Sequence, residues 1–546
     1  MSDTNQKKDL NDVYIYKSEW SELFENPQFI KEFSEDILEP YIITKRWYGG
    51  KASALKYIEL VDYFRIEDEN DLFYGLVLEV NFREAFVQNY FIPLAMVTDH
   101  NYAQEEIITK VLLNEKKGFL VDATLLESFR KQIFEKIIEG AKSKYGELEF
   151  RRGRGCEDYE YVSSKAMGVE QSNTSIIFND KYILKIFRRI FVDQNPDYEI
   201  NKYLTDKGVF KNTPRYSGSI TLRFSDKNVI TLALMQQLVP NQGDAWEYFT
   251  NKLKDIYETL QEVHPDVMQL KPVDMFDKIN IKAIPEEIRE HVPISFFEDI
   301  AQLGFRTAQM HVALGLERVN MQFTPQTYSS DYTVWLKNRL IYQFENRVNL
   351  VENNLHKLEG LRLELAQEFL DNKKIIRKKL LDFDELKLKG ERIRIHGDFH
   401  LGQVLVDQGD FYIIDFEGEP ESTIRDRKVK QSPLKDVAGV FRSFNYAVYA
   451  TIFNNLENFN YSKEELFHFA DVLYSYMTAV FLRKYVKYVQ SHNLSIGYIK
   501  EIKFMLEYCL LEKAVYELGY ELNSRPRWAV IPLKGISKII NSQPKV

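Results

Sequence analysis

The chain has 546 residues, of which 45% are hydrophobic and 28% are charged, and it carries a net charge of −9 at pH 7. This composition is that of a globular protein, and the length predicts two to four domains of about 150 residues each. Because the net charge is negative, no global positive field exists to attract nucleic acid or an anionic membrane. Any bound phosphate group must therefore be held by a local site.

The N-terminal segment and the cysteines exclude further classes of protein. The opening MSDTNQKKDLND is polar and charged, so it lacks the apolar stretch of a secretory signal peptide. No uninterrupted apolar run approaches the roughly 20 residues of a membrane-spanning helix, so we expect a cytoplasmic protein. Cys156 and Cys509 have no partner cysteines at metal-site spacing, which argues against a disulfide framework and against a zinc site.

The first 150 residues predict strands followed by one helix. The motif RWYGGK at 46–51 breaks a region of mixed helical spacing and predicts a loop. Between residues 57 and 96, β-rich runs separated by polar turns predict a small antiparallel sheet. Residues 121–145 have helical periodicity, and the Gly- and Arg-rich connector GELEFRRGRG then predicts a domain boundary near residue 150.

The next 90 residues predict two hairpins, and the rest of the chain is mostly helical. The runs SIIFND and KYILKIFRRI, joined by Asn179 and Asp180, predict a hairpin before a helix in PDYEINKYLTDKG. A second hairpin ends at Pro240. The predicted helical stretches that follow are 244–263, 296–317, 330–381, 434–458 and 463–520. One hairpin interrupts them, built from RIRIHGDFHLGQVLV and DFYIIDFEGEP.

This late hairpin carries the most informative pattern, IHGDFHLGQVLVDQGDFYIIDFEGEP. Phosphoryl transfer from ATP needs a carboxylate that accepts the proton of the attacking hydroxyl, and it needs ligands for the metal ions that bridge the phosphates. Asp398 is the candidate base. Gln403 stands where a kinase catalytic loop has its metal-binding Asn, and Asp415 stands where the metal-binding Asp of D-F-G lies. The pattern therefore predicts a phosphotransferase that uses ATP and Mg²⁺.

Three further polar residues of the hairpin leave alternatives open. His396 and His400 are potential metal ligands, but we expect His396 to hydrogen-bond the backbone and brace the loop. Glu417 replaces the Gly of D-F-G, and it either adds a carboxylate near the metal ions or caps the following turn.

A phosphate-binding region is predicted upstream, where GVEQSNTS lies between strand-like runs and supplies small hydroxyl and amide donors. The residues proposed for this loop are Ser172, Asn173, Thr174 and Ser175. Lys185, in YILKIF, resembles the phosphate-binding lysine of kinases, with Glu199 as its helix partner, although a solvent-facing lysine is the alternative. The segment MQQLV predicts an adenine-binding hinge that includes Met235 and Leu238.

With these parts placed, the chain resembles the maltokinase family. HGDFHLGQVL and DFEGEP are similar to its catalytic and metal-binding signature, and EQSNTSIIF, LKIFRRI and NPDYE are similar to its phosphate loop, lysine strand and glutamate helix. SPLKDVAGVFRSFNYA and EKAVYELGYELNSRPRWAVIPLKG are similar to segments of its C-terminal lobe, and RWYGGK resembles a motif of its N-terminal cap. The matches are scattered from Arg46 to Gly535.

The resemblance implies an α+β, bilobal, protein-kinase-like fold akin to that of aminoglycoside phosphotransferases. It implies a mixed β/α N-terminal cap over 1–150, a β-rich nucleotide lobe over 151–240 and a mainly helical C-terminal lobe over 241–546. The implied reaction transfers the γ-phosphoryl group of ATP to the anomeric hydroxyl of maltose, giving maltose 1-phosphate and ADP for α-glucan and glycogen metabolism. Some members are fused to trehalose synthase, so we expect any link of this chain to that enzyme to be by association.

The sugar site is predicted from aromatic and planar polar residues, which a disaccharide needs as a platform and as hydrogen-bonding partners. The candidates are Arg442, Tyr446, Tyr516, Tyr520, Glu521, Arg525 and Trp528. Each could equally be a core residue or part of an ion pair. Two other functions stay open, a same-fold kinase for glucosamine or an aminoglycoside, and an inert partner of a trehalose synthase. The hypothesis of an inert partner predicts that the lysine, the base or the metal ligands are lost, but the chain has all of them.

Overall fold

The computed structural model describes residues 13–98, 102–143, 147–167, 173–223, 228–263, 265–455 and 460–541. The chain divides into two compact units. Unit 1 comprises residues 1–208 and 214–239, and unit 2 comprises residues 209–213 and 240–546. The finer division into a cap and two lobes stays a prediction.

Unit 1 contains most of the strands. They are β1 (Val13–Tyr16), β2 (Leu55–Glu67), β3 (Leu72–Phe82), β4 (Val87–Val97), β5 (Ile107–Leu113), β6 (Lys116–Asp122), β7 (Leu148–Arg152), β8 (Ser164–Ala166), β9 (Asn173–Phe178), β10 (Tyr182–Phe187), β11 (Arg189–Ile190), β12 (Tyr216–Arg223) and β13 (Val229–Gln237). Its helices are α1 (Pro27–Glu32), α2 (Leu38–Ile42), α3 (Glu127–Glu139) and α4 (Pro196–Lys207). The helix predicted over 121–145 is shorter, because Asp122 caps a separate turn and Gly140, at φ 68°, ends α3.

Two sheets build unit 1. The first has the order β1-β5-β6-β4-β3-β2 with β11 beside β4, and the second has the order β7-β12-β13-β10-β9-β8. One core joins both sheets to α3, with Phe91 from the first sheet, Phe134 from α3 and Leu184 from the second. A second core covers the other side of the first sheet and buries Trp47 and Tyr48 of the predicted RWYGGK loop.

Unit 2 is mainly helical. Its helices are α5 (Ala245–Val263), α6 (Glu286–Arg289), α7 (Ile294–Leu314), α8 (Ser330–Asn354), α9 (Leu361–Asp371), α10 (Lys373–Leu381), α11 (Ile424–Lys428), α12 (Leu434–Asn455), α13 (Lys463–Gln490), α14 (Ile499–Ser524) and α15 (Val530–Asn541). Its strands are β14 (Gln326–Thr327), β15 (Glu391–Arg392), β16 (Val404–Asp407) and β17 (Asp410–Ile413). Among the described residues, no helix is both long and apolar enough to cross a membrane.

Two predicted helical stretches of unit 2 are divided in the structure. The stretch 330–381 forms α8, α9 and α10, and Gly360 has a φ of 54° at the first break. The stretch 463–520 forms α13 and α14, and Gly497 has a φ of 85° in the connection. Helical periodicity continues across both breaks, which is why the sequence pattern merged these elements.

The late hairpin is also shorter than predicted. Residues 393–403 form a loop between β15 and β16, apart from a short turn of helix at 401–403. Val404 of β16 pairs with Ile413 of β17, and the Ile414 N–H donates to the Gln403 carbonyl, so the residues after β17 lie beside this loop. Arg306 of α7 binds the carboxylate of Asp410 through two nitrogens, at 2.8 and 2.6 Å, and anchors the hairpin to the helices.

Candidate active site

A buried carboxylate fastens the loop between β15 and β16. Asp436, in the first turn of α12, accepts hydrogen bonds from the backbone N–H groups of His396 at 2.8 Å and Gly397 at 2.9 Å. Its Oδ2 lies 3.0 Å from Nε2 of His311, whose Nδ1 lies 2.9 Å from the Tyr485 hydroxyl. Burial alone would raise the pKa of Asp436, but His311 and the backbone donors outweigh it and lower that pKa. The carboxylate therefore stays ionised and holds the loop in place.

His396 ties the same loop to the end of β17. Its Nε2 donates a hydrogen bond to the Ile414 carbonyl at 2.8 Å. The ring packs against Phe399 and Phe416, with centroid distances of 5.1 and 5.0 Å. These are the contacts that a bracing role requires.

His400 and Glu417 make local contacts. Nδ1 of His400 accepts a hydrogen bond from the Gly402 N–H at 3.1 Å and so caps the short helical turn. Burial lowers the pKa of His400, which favours the neutral ring that such an acceptor needs. The Glu417 carbonyl accepts a weak hydrogen bond from Arg427 at 3.4 Å. The predicted alternatives for the Glu417 carboxylate stay open.

The structure brings the proposed metal ligands together. Nε2 of Gln403 donates a hydrogen bond to Oδ2 of Asp415 at 3.1 Å. Asp415 has a φ of 66°, a conformation that costs energy for a residue other than glycine and that recurs at functional sites. Asp398 lies on the same loop as Gln403, and its side chain is 25% exposed.

The chemistry of this pair fits Mg²⁺. The hydrogen bond uses the nitrogen of Gln403, so its amide oxygen remains as a ligand beside the Asp415 carboxylate. Mg²⁺ prefers oxygen ligands, and it commonly takes only one or two from the protein while phosphates and water complete its shell. Among the described residues, no group of three or more His, Cys, Asp and Glu side chains is arranged to hold a metal ion. The pair therefore suits an ion shared with a nucleotide.

Asp398 is joined to a buried set of charges that the sequence did not reveal. Its Oδ1 accepts a hydrogen bond from Nζ of Lys513 on α14 at 3.1 Å. The Lys513 Nζ also lies 3.7 Å from Glu419, the second glutamate of DFEGEP. The whole set, called the ion cluster below, consists of Asp398, Lys513, Glu419, Lys435, Arg339 and Glu512.

The ion cluster balances three cations against three carboxylates. Arg339 pairs with both glutamates of the cluster, and Lys435 lies 3.1 Å from Glu512 and 3.8 Å from Glu419. Burial alone would raise the pKa of Glu419, but Lys435, Lys513 and Arg339 outweigh it and lower that pKa to about 2. The Glu419 carboxylate is therefore ionised at neutral pH.

In unit 1, the proposed phosphate-binding lysine is paired with a buried aspartate. Nζ of Lys185 lies 3.4 Å from Oδ2 of Asp197, which has no exposed surface. Lys185 faces Ser175 across β9 and β10, on the side of β10 opposite to the core residue Leu184. Glu199, the predicted partner, lies two residues further along α4 and is also buried. Both carboxylates are in the first turn of α4. The assignment of Glu199 as the helix partner of Lys185 stays a prediction.

The predicted phosphate loop is placed differently. Ser172 lies outside the described residues, whereas Asn173, Thr174 and Ser175 belong to β9 instead of a loop, because Asn173 already pairs with Phe187 of β10. The Thr174 hydroxyl accepts a hydrogen bond from Arg188 at 2.8 Å.

The predicted hinge also differs in part from the expectation. Met235 is fully buried within β13. The Leu238 N–H donates to the Lys181 carbonyl at 2.7 Å, so Leu238 has only its own carbonyl to offer to adenine.

Five of the predicted sugar-site residues form one group in unit 2. Tyr446 and Trp528 stack at a centroid distance of 6.1 Å, and the Arg525 guanidinium lies 4.5 Å from the Trp528 ring. Arg525 also donates to Oε1 of Glu521 at 2.8 Å. Tyr520 is exposed, and the Arg525 guanidinium lies 5.3 Å from its ring.

Arg442 and Tyr516 make other contacts. Arg442 is buried and binds Glu517 through two nitrogens, at 2.8 and 2.7 Å. Its guanidinium is therefore committed to Glu517, and a role in sugar binding would be indirect. The Tyr516 ring lies 4.9 Å from Nζ of Lys513, beside the ion cluster.

Comparison with known proteins gives a match to one protein family over part of the chain. Residues 285–418 match the phosphotransferase enzyme family. The matched segment includes the proposed base Asp398 and the proposed metal ligands Gln403 and Asp415. The match supports the predicted class of enzyme, a phosphotransferase.

Individual relatives agree with this assignment. The chain is 24% identical over 293 residues to a glucosamine kinase of Streptacidiphilus jiangxiensis, and the aligned region covers 52% of this chain and 55% of that protein. The chain is thus aligned with about half the length of that relative. A solved glucosamine kinase in complex with glucosamine, ADP and inorganic phosphate has a TM-score of 0.61 at 16% identity, covering 96% of this chain and 100% of that chain. A second crystal form gives the same TM-score and identity, covering 96% and 99%. The predicted kinase-like α+β fold is confirmed.

Proposed function

We propose that the protein is an ATP-dependent kinase that phosphorylates the anomeric hydroxyl of maltose, giving maltose 1-phosphate and ADP. The observation that carries the proposal is the geometry of the loop that contains Asp398. Asp436 holds this loop through two backbone N–H groups, and Gln403 of the loop donates a hydrogen bond to Asp415. Phosphoryl transfer requires a carboxylate base and oxygen ligands for a metal ion. Asp398 and Gln403 lie on this fixed loop, and Asp415 lies on the segment after β17 beside it. The family match over the same segment supports this assignment.

In the proposed reaction, Asp398 accepts the proton of the acceptor hydroxyl as the hydroxyl oxygen bonds to the γ-phosphorus. The bond from the γ-phosphorus to the oxygen bridging it to the β-phosphorus breaks, and ADP leaves with that oxygen. Lys185 is assigned to the nucleotide phosphates. Gln403 and Asp415 would hold Mg²⁺, which when bound neutralises phosphate charge.

The face of α14 that begins at Lys513, the residue bound to Asp398, supports an acceptor larger than one sugar ring. Lys513, Glu517 and Glu521 are spaced four residues apart, so they lie along one side of the helix. The rise from the first to the third is about 12 Å. Trp528, which is partly exposed and stacks on the buried Tyr446, lies near the far end, where it can serve as a platform for a second ring. A disaccharide fits this length better than a monosaccharide does.

The charges along this face support a neutral acceptor over an amino sugar. Glucosamine is the second candidate, because the relative from Streptacidiphilus jiangxiensis is a glucosamine kinase. An ammonium group would need a carboxylate that is not already neutralised. Here Lys513 pairs with Asp398, Arg442 with Glu517, and Arg525 with Glu521, so each of these three carboxylates already has a cation.

The test is product-resolved phosphoryl transfer from ATP and Mg²⁺ to maltose, glucose, glucosamine, trehalose and kanamycin, with Asp398→Asn protein as the blank for contaminating kinases. We expect maltose 1-phosphate to be the dominant product. A dominant glucosamine phosphate would replace the proposed acceptor while leaving the base assignment intact. If no acceptor reacts, the kinase proposal is wrong and the inert-partner alternative gains support.

The wider context also stays a prediction. This holds for the supply of maltose 1-phosphate to α-glucan and glycogen synthesis, for association with a trehalose synthase and for the cytoplasmic location.

A further inference from the structure

Lys513 is held more firmly than a surface lysine. Its side chain is 18% exposed, and its Nζ lies 3.1 Å from Oδ1 of Asp398 and 3.7 Å from Oε1 of Glu419. The Tyr516 ring, one helical turn further along α14, lies 4.9 Å from the same nitrogen. Three contacts from three directions leave the ammonium group little freedom. A lysine fixed in this way can fix its hydrogen-bonded partner in turn.

We propose that Lys513 is a positioning residue for the catalytic base, a role that rests on the proposed function. Its hydrogen bond occupies Oδ1 of Asp398, and within unit 2 the described residues supply no hydrogen bond to Oδ2. Lys513 therefore fixes which oxygen of the carboxylate receives the proton, and it sets the direction in which that oxygen points. Since proton transfer needs the base within hydrogen-bond reach of the hydroxyl, this orientation determines the rate of the chemical step.

Glu419 makes this arrangement rigid. It lies between Arg339, Lys435 and Lys513, so its own position is determined by cations on three different helices, α8, α12 and α14. Burial alone would lower the pKa of Lys513, but Asp398 and Glu419 outweigh it and raise that pKa, so the ammonium stays charged throughout the working range of pH. Glu419 is thus a second, fixed carboxylate that holds Lys513 in place beside Asp398.

The kinetic test compares Lys513→Met, Lys513→Arg and Lys435→Met, using the acceptor on which the wild type is most active. Met keeps the length of the lysine stem without its charge. We expect Lys513→Met to lower kcat on the order of 100-fold, as misplacement of a reacting group does, with the KM for ATP close to the wild-type value. Lys513→Arg should recover part of kcat, because it restores a cation that donates to carboxylates.

Lys435→Met is the matched control. It removes a cation from the same ion cluster, 3.1 Å from Glu512 and 3.8 Å from Glu419, without touching Asp398. We expect it to lower thermal stability while keeping most of kcat. Equal losses of kcat in Lys435→Met and Lys513→Met would overturn the proposal, because the effect would then belong to the cluster as a whole. A change in KM for ATP alone would overturn it as well.

A thermodynamic cycle separates this proposal from the proposed function, because it needs no turnover. The melting temperature is measured for the wild type, Lys513→Met, Asp398→Asn and the double variant. We expect the Lys513→Met substitution to lower the melting temperature more in the wild-type background than in the Asp398→Asn background. Only in the wild-type background does it leave an unpaired carboxylate at position 398. Additive shifts would show that the two groups are not coupled and would sink the proposal, even in a protein that transfers phosphoryl groups normally. Coupled shifts in a protein without kinase activity would refute only the proposed function.

Discussion

Each unit of the protein holds one lysine–aspartate pair that matters for the proposed chemistry, and the two pairs are built in opposite ways. In unit 1, Asp197 has no exposed surface, while Lys185 is 13% exposed and lies 3.4 Å from it. In unit 2, Lys513 is held by two carboxylates and an aromatic ring, while Asp398 is the more exposed partner at 25%.

The contrast suggests a division of roles within each pair. The less exposed partner is better placed to set the direction of the group that it binds, and the more exposed partner is better placed to reach a substrate. On this basis we propose that Asp197 orients Lys185 toward nucleotide phosphates and that Lys513 orients Asp398 toward an acceptor hydroxyl. The sign of the acting group fits each task, a cation for phosphate and a carboxylate for a proton.

The strongest test of this contrast removes the acting group of unit 2. Asp398→Asn keeps the size of the side chain but cannot accept the hydroxyl proton, so we expect kcat to fall by about 10³-fold, within the range for loss of a general base. ATP binding, measured by titration calorimetry, should be retained. Asp410→Asn on the same hairpin is the matched control, because Asp410 binds Arg306 and has no assigned chemical role. Activity retained by Asp398→Asn would refute the assignment of the base.

The acting group of unit 1 should show a smaller effect of a different kind. Lys185→Met removes a charged donor to phosphate, worth about 1.5–3 kcal/mol, so we expect the Kd for ATP to rise about 10- to 100-fold. The measurement is calorimetric binding of ATP in the presence of Mg²⁺. If ATP binding is unchanged, Lys185 is the solvent-facing strand lysine of the alternative interpretation.

The orienting group of unit 1 should matter less than the group it orients. Asp197→Asn keeps a hydrogen-bond acceptor beside Lys185 but loses the charge, so we expect the Kd for ATP to rise by about fivefold, the equivalent of one hydrogen bond. Glu199→Gln, measured in parallel, is the matched comparison, because the sequence favoured Glu199 as the partner. A larger effect of Glu199→Gln would confirm that prediction and remove the parallel between the two units.

The sequence predicted the local structure around these two lysine–aspartate pairs better than it predicted which residues pair with each other. The turn of Asn179 and Asp180 was predicted from residue type, and both residues have a φ of 52°, as the two-residue hairpin between β9 and β10 requires. The helix predicted in PDYEINKYLTDKG likewise begins at Pro196, its first predicted residue, and Asn195 caps it. These features depend on neighbours in the chain.

Contacts between distant residues were beyond the sequence pattern. Lys513 and Asp398 are 115 residues apart, and nothing in the spacing of either segment marks them as partners. Asp436 was inside a segment singled out for its resemblance, yet its contact with the backbone at His396 depends on how α12 packs beneath the loop. Periodicity tells which face of a helix is buried, but the partner on that face follows only from the tertiary packing.

The smallest expected effect concerns the ion pair of Arg306 and Asp410, which has a structural role. It gives a baseline for the two lysine–aspartate pairs. Burial alone would raise the pKa of Asp410, but hydrogen bonds from Arg306 and Gln302 outweigh it and lower that pKa to about 2. A carboxyl group with a lowered pKa in the folded state stabilises the protein above its ordinary pKa near 3.8, and this contribution is lost as the pH falls toward 2.

We therefore expect wild type and Asp410→Asn to differ in free energy of unfolding by about 1 kcal/mol above pH 5, a value reduced for the partial exposure of the pair. The difference should shrink between pH 4 and 2, because Asp410 is then protonated in the unfolded chain and, progressively, in the folded protein. Urea unfolding of both proteins at stepped pH values measures this difference, and other titrating groups cancel in it. A difference that grows toward low pH would mean that the Arg306 pair does not stabilise the hairpin. If Lys513→Met leaves kcat almost unchanged and only lowers stability, then Lys513 forms a structural ion pair of the same kind as Arg306 and Asp410.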